Sequence, residues 1–432
     1  MPRHSAGSLR HHHHVSRREA LIALVAGTAL AYPAAHRAGL IPGDGPGDLD
    51  AFDPNSVPDA MPAIPPPAPP LPLTDRDRGN WDLFKRNFIL PSGRVVDRGV
   101  SHTEGQGLGL LFAVAFDDRA VFEQIFAWTE ATLRHGNDAL HAWRYDPAAA
   151  EPVGDPNNAT DGDLFIAGAL LRAAERWGDP VHARTAHEIA RDVLRLLVRK
   201  VGSWTVLLPG YAGFEGDRSV IINPSYYVFP MLDAMNAITP SPLWRRLTQD
   251  GLSLLGRARF GLWGLPPDWL EVARADGAVS PSANWPARFS YDAVRVPLWL
   301  AWSGHAPELT RSMNRFWLDH ATWQPAWVDL QTNMVADYPA SAGMAAIRTL
   351  VAARLDPMQA PPAPVLGEGD DYYSSALAML ARLAALETQG AAVPMVDADP
   401  AAAADPPRHA GSPFDRLRAW GQAIGAPGFQ RY

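Results

Sequence analysis

Apolar residues along the middle of this chain recur every three or four positions, the spacing that gathers them on one face of an α-helix. Phe122, Ile125, Phe126, Thr129 and Leu133 form one such stripe, after Asp117-Asp118 as candidate caps. Leu164, Ala167, Leu170, Leu171 and Ala174 form a second, and Ile189, Val193, Leu196 and Leu197 a third. The same period predicts helices over roughly 226–238, 241–257, 291–303, 307–319, 340–355 and 372–387. Strict alternation, the mark of a strand, is scarce; Ser203 to Leu208 is its best example. The expectation is an all-α body of about ten to twelve helices.

Polar and aromatic residues interrupt this pattern at the predicted helix starts. TEGQGLG (Thr103 to Gly109) precedes the apolar run Leu110 to Ala115, and ATDGD (Ala159 to Asp163) opens the helix that follows it. NPSYY (Asn223 to Tyr227), SYDAVR (Ser290 to Arg295) and DDYY (Asp370 to Tyr373) open three more. Their anchors, Glu104, Asp161, Asn223, Asp292 and Asp371, lie 57, 62, 69 and 79 residues apart, about the length of a helical hairpin with its loops. Hairpins closing into a ring would bring these starts to one end. Free N–H groups and the positive dipole there suit carboxylates and hydroxyls. Taken singly, each cluster reads equally well as an ordinary helix cap.

The two ends read differently. Ser16-Arg17-Arg18 precedes an apolar run from Ala20 to Ala31 that exits on Ala29-Leu30-Ala31, the parts of an export signal over residues 1–40. The paired arginines resemble the twin-arginine signal, with Ala20 where an aromatic is usual. A run of this length falls short of the ~20 residues that span a bilayer, so no stable membrane span is expected once the signal is removed. Residues 41–75 are rich in proline and read as an extended linker, and residues 393–432 as a disordered tail. The folded catalytic unit is expected over 76–392.

Composition narrows the partner class. The 432 residues carry a formal charge of −8, which argues against nucleic-acid binding, and contain no cysteine, which excludes disulfides and thiolate chemistry. Fifteen tryptophans and ten tyrosines supply flat faces of the kind that meet sugar rings, although most aromatics in any protein are core. No metal-ligand spacing and no phosphate loop stands out, so neither a metal nor an organic cofactor is expected.

In these motifs the chain resembles glycoside hydrolase family 8, and within it the endoglucanases that accompany bacterial cellulose synthase. The likeness runs through WDLFKRNFILPSGRVVD (Trp81 to Asp97), the glutamate motif, NNATDGDLFIAGALLRAAERW (Asn157 to Trp177), LLPG (Leu207 to Gly210), NPSYY, LPPDWL (Leu265 to Leu270) and SYDAVRV. It implies an (α/α)6 toroid of inner and outer helices and an inverting endo-β-1,4-glucanase acting on cellulose-type glucan. It implies Glu104 as the acid, Asp292 as the base and Asp161 as the residue that holds the distorted sugar, with Asp163 the other candidate for that last role. It further implies Tyr226, Trp143 and, more weakly, Trp269 and Tyr372 as substrate contacts. Arg295, one turn beyond Asp292, would orient the base or form a plain ion pair. Glycines 105, 107 and 109 would leave room for a polymer beside Glu104.

The implied location is the periplasm or the exterior, with a cellulose synthase complex as a partner. Leu108 stands where the family commonly has an aromatic, Thr103 where it has serine, and His141 precedes Ala142-Trp143 where proline is frequent. These departures bear on sugar preference and leave both carboxylates in place. Xylan, chitosan or mixed-linkage glucan remain alternative polymers under the same mechanism. A non-catalytic glycan-binding protein is the alternative of a different class, and the presence of both carboxylates argues against it.

Overall fold

The computed structural model describes residues 70–356 and 366–388. The export signal, nearly all of the linker and the carboxyl-terminal tail lie outside the described residues. Eleven α-helices are described: α1 (Asp75–Phe88), α2 (Thr103–Ala115), α3 (Arg119–Leu133), α4 (Thr160–Trp177), α5 (Pro180–Leu197), α6 (Phe229–Ile238), α7 (Pro242–Arg257), α8 (Arg295–Ser303), α9 (Pro307–Asp319), α10 (Ala342–Leu355) and α11 (Tyr372–Glu387).

Six of them close a ring. Helix α2 packs on α4, α4 on α6, α6 on α8, α8 on α10, α10 on α11, and α11 returns to α2. Helices α3, α5, α7 and α9 each pack beside the ring helix that precedes them, and α1 lies against α11. This is the (α/α)6 toroid that the sequence motifs imply.

The two rings differ in sequence as their positions require. Helix α2 buries eleven of its thirteen residues, so its sequence is apolar or small on every side. Helix α5 instead buries one stripe, including Ala183, Ala186, Ile189, Ala190, Val193, Leu194 and Leu197, and turns its charged residues outward. The turn between α4 and α5 is short because its chemistry is complete: Gly178 takes the left-handed cap of α4 at φ 69°, the Asp179 side chain caps α5, and Pro180 begins it. Trp302 on α8 and Arg172 on α4 both donate to Glu387 on α11 and tie the ring together away from the helix starts.

The glycines of the glutamate motif serve this packing. A Cβ on Gly107 would stand 2.6 Å from the Cβ of Phe165 on α4, so α2 and α4 approach through bare backbone. A Cβ on Gly109 would meet Val95 at 2.8 Å, and one on Gly105 would meet the Tyr372 hydroxyl at 3.2 Å. The room these glycines leave is therefore filled by protein, which corrects the expectation that it is kept for a polymer. Gln106 of the same motif is fully buried; its amide accepts from Val95 N at 2.6 Å and donates to Thr129 Oγ1 at 2.9 Å, fixing the 93–95 loop against α2 and α3.

Nine short strands trim the loops: β1 (Ser101–His102) with β2 (Arg144–Tyr145), β3 (Val198–Val201) with β4 (Trp204–Leu207), β5 (Ser219–Ile222), β6 (Leu270–Ala273) and β7 (Val279–Pro281) in one antiparallel sheet, and β8 (Arg288–Phe289) with β9 (Val328–Asp329). Strand β4 falls in the segment whose alternation predicts one. Two ring helices begin later than their periodicity predicts, α6 at Phe229 and α8 at Arg295. Residues 224–226 form a 3-10 turn and 291–294 a turn of their own, and both carry side chains of the site.

Candidate active site

Four of the five helix starts named above converge on one guanidinium. Arg295 opens α8 and is 2% exposed. Its Nη1 donates to the Glu104 carboxylate, and its Nη2 donates to Asp292 Oδ1 at 2.7 Å and to Ser225 Oγ at 3.0 Å. Asp161 Oδ2 lies 3.6 Å from Nη1. Glu104 is in the first turn of α2, Asp161 in the first turn of α4, Ser225 in the 3-10 turn and Asp292 in the turn before α8. Side chains from four separate parts of the chain thus share one buried cation.

Exposure ranks the three carboxylates. The side chains of Asp292 and Glu104 are 25% and 17% exposed, whereas that of Asp161 is 3% exposed. A molecule arriving from solvent meets the first two. One cation among three carboxylates leaves excess negative charge, and the cluster takes up protons in response. Burial, with the neighbouring charge of Glu104, pushes the Asp161 carboxyl up to about 8. Burial would lower the guanidinium's affinity for its proton, but the charges of Glu104, Asp292 and Asp161 more than reverse this, and Arg295 stays charged. Tyr226 faces the same groups; burial and the charge of Asp161 hold its phenol well above the ordinary range, so it acts as a neutral hydroxyl.

Asp163 is elsewhere. Two residues along a helix is about 200° of rotation, so it faces away from Asp161. It is wholly buried: Oδ1 accepts from His141 N at 3.1 Å and sits 2.9 Å from His141 Nδ1, and Oδ2 accepts from Asn158 at 3.0 Å. Both its oxygens serve the scaffold. Tyr372 is likewise enclosed at 7% exposure, with ring centroids 5.6 Å from Phe88 and 6.0 Å from Phe84. Neither side chain is among the partly exposed groups that a substrate meets first.

Aromatic rings flank the cluster on two sides. Trp143 follows from the loop paired with β1; its carbonyl accepts from Thr103 N at 3.0 Å, its indole stacks on His102 at 5.7 Å, and its N–H donates to Asp155 at 2.8 Å. On the other side Trp269 is sandwiched between Phe214, parallel within 3° at 5.8 Å, and Trp285 at 4.4 Å, with Tyr226 6.3 Å away. Trp285, Phe214, Ser225 and Asp268 are members that reading the sequence did not single out. Ser225 lies within the NPSYY motif and Asp268 within LPPDWL, so motif membership was the available signal; Phe214 and Trp285 offered none.

A set of carboxylates charged against one guanidinium, with stacked indoles to either side and set at the starts of toroid helices, defines an enzyme that cleaves glycosidic bonds. The sequence profile of glycosyl hydrolases family 8 matches residues 74–387, and the chain belongs to that family. It is 44% identical over 321 residues to a probable endoglucanase of Novacetimonas hansenii, spanning 73% of this chain and 93% of that one. It is 40% identical over 274 residues to an endoglucanase of Cellulomonas uda, spanning 62% and 76% respectively. Among solved structures, the endo-β-1,4-glucanase CMCax of Acetobacter xylinum matches with a TM-score of 0.70 at 44% identity, covering 73% of this chain and 99% of that one. The protein is a glycoside hydrolase.

Proposed function

We propose that this glycoside hydrolase is an endo-β-1,4-glucanase that cuts cellulose-type glucan with inversion, using Glu104 as general acid and Asp292 as general base. The observation that carries this reading is the shared guanidinium: Arg295 binds both of the partly exposed carboxylates at once. Glu104 gives its proton to the glycosidic oxygen as the anomeric C–O bond breaks. Asp292 takes a proton from the water that attacks the same carbon on the opposite face. Asp161, neutral near pH 7, contributes a hydrogen-bond donor to the sugar at the point of cleavage. Tyr226 offers its hydroxyl to the water or the ring, Trp143 stacks on a sugar on one side, and the Phe214–Trp269–Trp285 stack lines the other.

The likeness to named endoglucanases supports the polymer assignment. The amino-terminal signal pattern supports export to the periplasm, where the enzyme would trim glucan made by a cellulose synthase complex. Purified wild type, Glu104→Gln and Asp292→Asn, assayed for reducing ends on carboxymethylcellulose, xylan, chitosan and mixed-linkage glucan, test the assignment. The expected result is a cellulose-type preference in wild type and a loss of about 10³-fold or more in each variant, with unchanged melting and oligosaccharide binding. Near-wild-type turnover in either variant removes its role; a preference for xylan or chitosan overturns the polymer. The same assay on fractions of cells expressing the full chain is expected to find the activity in the periplasm, and activity confined to the cytoplasm contradicts export.

A further inference from the structure

Asp268 immediately precedes Trp269 in LPPDWL, two residues before β6. Four donors converge on its carboxylate, all from the turn that delivers Asp292. Oδ1 accepts from the backbone N–H groups of Ser290 at 3.1 Å, Asp292 at 3.2 Å and Ala293 at 2.7 Å, and Oδ2 accepts from the Ser290 hydroxyl. The Asp268 N–H in turn donates to Arg288 O at 2.7 Å.

The turn before α8 needs this partner. Val294, Arg295 and Val296 donate to the carbonyls of Ser290, Asp292 and Ala293, but the N–H groups of Ser290, Asp292 and Ala293 find their acceptor outside the turn. The acceptor is supplied from 22–25 residues upstream. Asp292 bonds Arg295, which also holds Glu104, so both reacting carboxylates hang from one guanidinium and their separation depends on where the backbone behind each is held. The Asp268 clamp holds the backbone behind Asp292. Burial and the nearby charge of Asp292 push the Asp268 carboxyl up to about 7, so the clamp is held against a repulsion between the two side chains.

We propose that Asp268 is a positioning residue for the base: by holding the Ser290–Ala293 turn it fixes Asp292 at the distance from Glu104 that admits the attacking water, and it links that turn to the aromatic stack around Trp269. The inference rests on the assignment of Asp292 as base. Misplacing a reacting group by about 1 Å costs on the order of 10²-fold, so Asp268→Ala is expected to lower kcat about 100-fold with KM within about threefold of wild type. Asp268→Asn keeps an acceptor for the backbone donors and is expected to retain kcat within about tenfold.

Sodium azide separates positioning from proton transfer. In Asp292→Ala, an azide nitrogen can bond to the anomeric carbon from the vacated face as the C–O bond breaks and Glu104 protonates the leaving oxygen, giving an α-glycosyl azide. Azide is expected to restore turnover to Asp292→Ala with that product, and to leave Asp268→Ala unrescued. Azide rescue of Asp268→Ala with an α-glycosyl azide would make Asp268 itself the base and overturn the proposal. A kcat for Asp268→Ala within threefold of wild type would overturn it while leaving Asp292 as base. Where Asp268→Ala fails to fold, Asp268→Asn and Ser290→Ala decide: a kcat loss of about three- to tenfold at unchanged KM supports the clamp, and wild-type kcat in both removes it.

Discussion

Two charge clusters take anchors two residues apart on α4, Asp163 and Asp161, and they solve the problem of buried charge in opposite ways. Around His141, Asp163 and Glu130 each take one ring nitrogen, at 2.9 and 3.1 Å, and Arg134 adds a second cation to Glu130 at 3.0 Å. Burial alone would deprotonate His141, but the bonds to Asp163 and Glu130 outweigh it and hold the ring charged. Cations and carboxylates balance there, and Asp163 has a partner for each oxygen. Around Arg295 three carboxylates and a phenol share one cation, and a proton on Asp161 meets one of the two surplus charges. Structural charge is paired; charge kept for chemistry is left in excess, to be relieved when a proton moves or a ligand arrives.

Substitution should expose this difference. Arg295→Met should abolish hydrolysis, by about 10³-fold or more, since it releases both reacting carboxylates at once. Asp163→Ala strands a buried imidazolium, and its main effect should fall on the fold, about 3 kcal/mol by denaturant unfolding. Its kcat in the folded fraction should stay within about tenfold of wild type. If Asp163→Ala lost activity as completely as Arg295→Met while keeping its stability, the contrast between the clusters would fail.

A third contrast lies in pH dependence. The folded-state pKa of Asp161 lies above the ordinary carboxyl value of 3.8, so folding favours its protonated form. That contribution is complete below about pH 4 and is lost as pH climbs through about 8. Wild-type melting temperature should therefore decline over this window, and Asp161→Asn, which carries no titrating proton there, should decline less. Equal slopes for the two proteins would show that Asp161 does not hold the proton.

Much of this was readable before any coordinates. Helical periodicity placed α3, α4, α7, α9, α10 and α11 closely, because their apolar stripes face a core; for α5 the stripe marks only the second half. The convergence of helix starts was legible from the spacing of five polar clusters. Asp161 and Asp163 could not be ranked by pattern: the helical period says that they face opposite sides, not which side is the groove. Glycines 105, 107 and 109 were legible as places without side chains, but what occupies that room depends on α4 and the 93–95 loop, contacts across long sequence separations. Asp268 showed only as a member of LPPDWL, because it acts on backbone N–H groups, which nearly every residue possesses. His141 is the cation that Asp163 and Glu130 share.

Proton NMR of the first product released from a soluble β-1,4-gluco-oligosaccharide, recorded before mutarotation, tests the central claim most directly. Inversion by separated carboxylates, with a water between Asp292 and the sugar, predicts that the new reducing end appears as the α anomer. A β anomer formed first would mean that one carboxylate attacks the sugar itself, and the acid and base roles of Glu104 and Asp292 would have to be abandoned.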